Sequence, residues 1–181
     1  MRKLLALAAF ALVLSTGTSM AQKLPDWQRV PFDDSGESAS VELYKPSGEP
    51  GAAFFGYKCY NDPNRFGLDN VAYFLKLDNA ELACMKNPIS NVTLTIDGKD
   101  YPFVFKCDAK RLGVGSVGSL YFEWGVDSRA DLNNMFELDQ AIDKAKSKVM
   151  KVFVSDKNHY LFRGSLRNAS IRKKVNCSRK G

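Results

Sequence analysis

The segment around Asp97 and Gly98 is the feature that most constrains the fold of this 181-residue chain. Apolar residues occupy every second position in residues 92–96 and again in residues 103–107. Alternation with a period of two predicts strands with one buried face. An Asp-Gly pair between two such runs predicts a two-residue turn, because both residues accept the positive φ that this turn requires. An antiparallel hairpin is therefore expected here.

Further runs of alternating residues flank this hairpin on both sides and predict more strands. They lie at residues 27–32, 41–44, 53–59, 71–77 and 120–126, and a second hairpin is predicted from 149–155 and 159–162 around a turn at 156–158.

Two helices are expected near the C-terminus. Residues 131–148 form the first, with Phe136, Ala141 and Ile142 as its apolar stripe. Ser165 is a candidate cap for the second, which runs to about Asn176. We therefore expect a mainly antiparallel, β-sandwich-like fold with two helices in the C-terminal third.

The first 21 residues have the pattern of a secretory signal peptide. Arg2 and Lys3 precede the apolar residues 4–14, and the small residues Ser19 and Ala21 mark a cleavage site. A membrane span needs about 20 apolar residues, so this run is too short to be an anchor, and no later segment is apolar enough to span a membrane. We expect residues 22–181 to form one domain that is periplasmic or secreted. The short leader, rich in Ala and Leu, is typical of bacteria.

Four cysteines follow the leader, and in an oxidising compartment an even number predicts two disulfides. Their separations of more than 20 residues do not fit the paired spacing of a zinc site, and the single histidine, His159, excludes sites built from several histidines. No metal or cofactor is expected. The three pairings are 59–84 with 107–177, 59–107 with 84–177, and the favoured Cys59–Cys177 with Cys84–Cys107, which would fasten the C-terminus to an early strand.

The C-terminal end is strongly basic. The whole chain has a net charge of +6, and without Arg2 and Lys3 it has +4. From residue 163 onward there is no acid, whereas the basic residues are Arg163, Arg167, Arg172, Lys173, Lys174, Arg179 and Lys180. Such a patch can dock on an acidic protein or on an anionic envelope surface. Alternatively, these charges pair with the domain's own acids. Export argues against nucleic acid as the partner.

The order of these elements resembles that of small exported bacterial envelope proteins of the invasion-associated locus B type, and of type VI secretion accessory proteins. The resemblance is carried by Tyr57-Lys58-Cys59, the Asp97-Gly98 hairpin, the helix at 131–148, and Leu161-Phe162-Arg163-Gly164 before a helix that ends at Cys177. It implies an envelope protein that works by contact and has no catalytic residues.

Catalytic and ligand-binding patterns are weak. The chain has no Gly-x-Ser-x-Gly nucleophile elbow whose serine His159 could activate. Glu123 has no identifiable second carboxylate with which to form a catalytic acid–base pair. Residues 113–118 match G-x-G-x-x-G but precede a predicted strand, whereas a dinucleotide site needs a helix there. Oxygen donors for calcium cluster at Asp62, Asn64, Asp69 and Asn70, without the spacing of a calcium loop.

The sequence therefore favours a non-enzymatic, exported envelope protein that binds an envelope protein or an anionic surface. Two alternatives stay open. The chain could be an inhibitor or immunity protein that presents the loop at 61–70 to an envelope-degrading enzyme. It could also be a small secreted hydrolase that uses Glu123 or His159.

Overall fold

The computed structural model describes residues 23–32, 36–59, 71–77, 89–107, 120–125, 129–155 and 159–175. These ranges contain one α-helix, α1 (Arg129–Lys144), and a 3₁₀ helix at Ala169–Lys174. Their strands are β1 (Gln28–Phe32), β2 (Gly36–Tyr44), β3 (Pro50–Cys59), β4 (Val71–Leu77), β5 (Ile89–Ile96), β6 (Lys99–Cys107), β7 (Leu120–Gly125), β8 (Val149–Ser155) and β9 (Tyr160–Ser165).

The nine strands form one antiparallel sheet in the order β1-β2-β3-β4-β7-β6-β5-β8-β9. The sheet curls so far that β9 pairs back onto β2, with Leu43 opposite Gly164 and Tyr44 opposite Arg163. The prediction of a mainly antiparallel β fold with two helices in the C-terminal third is confirmed. The two layers expected of a sandwich-like fold arise because this single sheet curls over on itself.

The hydrophobic core fills the concave side of the sheet. Alternate residues of the strands point inward, among them Phe55, Tyr73 and Val152, which are all fully buried. Helix α1 closes this side with three buried residues spaced for one helical face, Met135, Leu138 and Ile142.

The predicted stripe of α1 is therefore wrong at one position. Phe136 is 47% exposed, and its neighbour Met135 faces the sheet in its place. Successive helical residues differ by about 100° around the axis, so a shift of one residue moves a side chain from the core to solvent.

The hairpin at Asp97 and Gly98 is confirmed, with φ values of 51° and 80° at the two turn residues. The Asp97 carboxylate also accepts hydrogen bonds of 2.7 Å from the backbone N–H groups of Lys146 and Ser147. These two bonds lower the pKa of Asp97. They fasten the connection between α1 and β8 to the hairpin, and α1 ends at Lys144 rather than at residue 148.

The predicted C-terminal α-helix is replaced by a single short 3₁₀ helix, and Ser165 ends β9 instead of capping a helix. The reason lies in Trp27. Its indole N–H donates to the Ser165 carbonyl at 2.8 Å, and its backbone N–H donates to the Arg167 carbonyl at 3.2 Å. These bonds hold the chain extended where an α-helix would have begun. Asn168 then turns the chain with a left-handed φ of 58°.

Among the described residues, no helix combines the length and apolar character needed to cross a membrane.

Candidate functional site

The basic C-terminal residues do not form one exposed patch. Arg163 and Lys174 are exposed, but Arg172 is only 2% exposed. Arg167 pairs with Asp26 at 3.2 Å, and Lys173 pairs with Asp143 at 2.5 Å. Arg179 and Lys180 lie outside the described residues. Arg172 is therefore engaged inside the protein rather than on its surface, and the contact role of the other basic residues stays a prediction.

Arg172 stands at the centre of a buried polar network. One guanidinium nitrogen donates to the Ala169 carbonyl at 2.8 Å, and another lies 3.1 Å from Asp139 and 3.2 Å from Asp143. The guanidinium carbon also lies 5.7 Å from the ring centroid of Trp27. The network fastens the 3₁₀ helix to α1 and to the N-terminal segment.

The ionisation of this network suits a structural role. Burial raises the pKa of Tyr57 to about 12 and that of Tyr73 well above its usual value; the nearby Asp139 adds to both shifts. Burial acts to lower the pKa of Arg172, but Tyr73 and the two aspartates outweigh it and raise the pKa overall. The phenols therefore stay protonated and the guanidinium stays charged. Tyr73 donates its hydroxyl hydrogen to the same Asp139 oxygen that Arg172 contacts.

The other candidates from the sequence remain separate from this network. His159 is exposed, has a positive φ of 36°, and stacks on Phe153 with ring centroids 5.9 Å apart. Glu123 stands opposite Phe74 and Lys106 in the sheet register. The calcium-like cluster, residues 113–118 and the loop at 61–70 lie outside the described residues. Within the part that the structure describes, no group of acids, cysteines and histidine is arranged to hold a metal ion.

The cysteine pairing stays a prediction. Cys59 is buried at the end of β3. Cys107 ends β6, where only its backbone position is described, and Cys84 and Cys177 lie outside the described residues.

A groove of about 400 Å³ separates α1 from the β5–β6 hairpin. Lys99 enters it, but this lysine lies 3.8 Å from Glu137 and 4.8 Å from the ring centroid of Tyr101. Asp97, on the same groove, is engaged by the backbone bonds described above. The charged groups of the groove are thus engaged by groups of the protein itself.

The outer face of β8 and β9 has a different character. Its exposed residues, together with His159 just before β9, form what we call the β8–β9 strip: Val149, Lys151, Phe153, His159, Leu161 and Arg163. Phe153 stands directly opposite Leu161, and Lys151 stands directly opposite Arg163. Apolar and cationic side chains therefore alternate along one continuous surface.

The apolar content of this side of the sheet is high. Phe153 is 38% exposed and Leu161 44%. Five large apolar side chains are exposed among the described residues, and four of them lie on the outer faces of β6, β8 and β9; the fifth is Phe136 on α1. A cluster of this kind on one face of a protein is typical of a contact surface, whereas single exposed apolar residues are ordinary.

The two cations of the strip are not neutralised locally. Like charges directly opposite each other on neighbouring strands destabilise a sheet. Within the described part of the chain, neither Lys151 nor Arg163 forms an ion pair. The acids nearest in register form no ion pair with them: Asp100 accepts a 2.7 Å bond from the Thr95 hydroxyl, and Glu42 accepts one of 3.5 Å from Tyr44. An acidic partner would offset the repulsion between the two cations.

One feature of the sequence indicates this strip, although it was not among the predictions above. A strand with one solvated face should have polar residues at alternate positions. In Val149-Met150-Lys151-Val152-Phe153-Val154, the outward positions 149 and 153 are apolar as well as the inward ones. The missed residues were Val149, Lys151, Phe153 and Leu161; Arg163 was the one strip residue already included in the basic patch.

No family model, no curated protein and no solved structure matches this chain. A functional conclusion therefore rests on the residues described above.

Proposed function

We propose that this chain is an exported protein of the bacterial envelope that acts by contact, without catalysis, and that it holds an acidic partner through the β8–β9 strip. The observation that carries the proposal is the pair Lys151 and Arg163, two directly opposed cations beside the exposed Phe153 and Leu161. We therefore propose the strip, rather than the basic C-terminal end, as the contact surface. Arg163 belongs to both sets of residues.

Export is supported by the leader at residues 1–21 and by cysteine chemistry. Cys59 is buried and disulfide-bonded, which suits an oxidising compartment such as the periplasm. The resemblance to envelope proteins of the invasion-associated locus B type agrees with this location and with action by contact.

Action without catalysis is supported by the ionisable groups. The buried groups around Arg172 are engaged with one another: its two terminal guanidinium nitrogens bond to the Ala169 carbonyl, Asp139 and Asp143, and only its Nε is left without a partner. His159 stacks on Phe153, and in the described residues no hydroxyl group hydrogen-bonds to it. A nucleophile would need such a bond to be activated by this histidine.

The test is an affinity pull-down from bacterial envelope extract with the exported protein as bait. Lys151→Gln/Arg163→Gln removes the two cations of the strip, and Lys173→Gln/Lys174→Gln removes two cations from the C-terminal end. Both variants lower the net charge equally, so a general loss of charge affects them alike. We expect the first variant to lose an acidic partner that the parent and the second variant retain. Loss of the partner only in the second variant would return the site to the C-terminal end.

A further inference from the structure

We infer that the acidic partner of the β8–β9 strip is the surface of an anionic phospholipid membrane. This inference rests on the proposed function and names the chemistry of the partner. It is argued from the size of the strip, from the order of its side chains and from the spacing of its cations.

The strip is small for a stable protein–protein interface. From the level of Val149 to that of His159, two positions beyond Leu161, it spans six residue steps, about 20 Å at the usual strand rise, and it is two strands wide. A standard protein interface buries about 800 Å² on each partner and is usually centred on an anchor in a pocket. No residue of the strip lines the groove beside α1, nor a smaller cavity of about 170 Å³ between the end of α1 and residues 166–170. A membrane surface needs no pocket and accepts a short, open strip.

The side chains of the strip suit the two layers of a membrane surface. Phe153 and Leu161 are adjacent and exposed, so both can enter the boundary between headgroups and acyl chains. Lys151 and Arg163 form the next solvent-facing pair along the two strands, and their long side chains can reach the phosphates. A peripheral contact of this kind combines apolar insertion with attraction to anionic lipid.

The spacing of the cations suits one phosphate group. Directly opposite residues of antiparallel strands have Cβ atoms about 5 Å apart. The long side chains of Lys151 and Arg163 can therefore converge on the same phosphate, where the guanidinium can donate two hydrogen bonds. This binding would turn their mutual repulsion into a shared attraction.

The expected effect is measurable by sedimentation with lipid vesicles. Each base near an anionic membrane strengthens binding about fivefold at moderate salt, so removal of both should weaken it roughly 20- to 30-fold. The purified exported protein is mixed with vesicles of phosphatidylcholine containing phosphatidylglycerol, and separately with vesicles of phosphatidylcholine alone. We expect binding to the first only, and its release by salt.

Two variants test the strip and two control for it. Lys151→Gln/Arg163→Gln should lose the binding, and Phe153→Ser/Leu161→Ser should weaken it while keeping its salt dependence. The matched controls are Lys173→Gln/Lys174→Gln for charge and Phe136→Ser for an exposed aromatic elsewhere, and both should bind like the parent. Circular dichroism of every variant confirms that it is folded.

Equal binding of the parent to both kinds of vesicle, or equal loss in the control variants, would overturn the inference. A parallel pull-down uses envelope proteins freed of lipid. Strip-dependent capture of an acidic protein, without vesicle binding, would overturn the lipid inference and leave the proposed function standing. Failure to bind in both experiments would remove both proposals.

Discussion

Replacement of Arg172 by Met should destabilise the protein strongly. The guanidinium is buried and hydrogen-bonds to the Ala169 carbonyl, Asp139 and Asp143. Removal of one partner from a buried ion pair typically costs about 3–5 kcal/mol of unfolding free energy. Here the two aspartate side chains are 33% and 26% exposed, and Asp143 keeps its contact with Lys173. We therefore expect a loss of roughly 2–3 kcal/mol.

For a chain of this length, such a loss should lower Tm by about 4–12 °C. The assay is urea denaturation followed by circular dichroism, under non-reducing conditions. Lys174→Met, which removes an exposed cation two residues away, should stay within about 0.5 kcal/mol of the parent. Asp139→Asn should cost less in the Arg172→Met background than in the parent, since the two side chains contact each other.

An unfolding free energy for Arg172→Met within about 0.5 kcal/mol of the parent would refute this reasoning. If Arg172→Met were as stable as the parent but no longer bound the acidic partner protein or surface, Arg172 would be a contact residue. The buried network would then contribute nothing to holding the C-terminal end.

Three further predictions concern the sheet, the hairpin and the processing of the chain. Gly56→Ala should cost about 1–3 kcal/mol in urea denaturation, because the added Cβ would overlap the ring of Phe74. Asp97→Asn should be less stable than the parent at neutral pH. The folded-state pKa of Asp97 lies below its ordinary value of 3.8, so this difference in unfolding free energy should shrink as the pH falls from 3.8 through the folded-state pKa. Denaturation at neutral pH and at about pH 3 measures the change. Mass spectrometry of the exported protein should find Gln22 at its N-terminus and, in unreduced peptides, the pairs Cys59–Cys177 and Cys84–Cys107.

The features that the sequence predicts well are local ones. The hairpin at Asp97 and Gly98 depends on two adjacent residues whose backbone preferences select the turn. The strand at 71–77 follows from alternation alone, and its bounds agree with β4. Both features are encoded within a few neighbouring positions, so no knowledge of distant contacts was needed.

The features that escaped prediction depend on distant contacts. Arg172 is buried because Asp139, 33 residues earlier, and Trp27 both reach it. Ser165 stays in a strand because Trp27, 138 residues away, bonds to its carbonyl. Nothing near Arg172 in the sequence distinguishes it from its exposed neighbour Lys173.

The candidate site was missed for a related reason. Apolar residues at alternate positions predict which residues of a strand share a face, but not which face the protein covers. Phe153 could have been buried if a helix had packed over the outer side of β8. Helix α1 packs on the concave side instead, so Phe153 and Leu161 remain exposed.

The most direct test of the contact surface is lysine acetylation of the purified protein, residues 22–181, with and without bacterial envelope membranes, quantified by mass spectrometry. Bound partners shield a lysine from the reagent, so the pattern locates the surface without any mutation. We predict strong protection of Lys151 and unchanged labelling of Lys45 and Lys174. Protection of Lys174 with full labelling of Lys151 would contradict the account and place the contact at the C-terminal end.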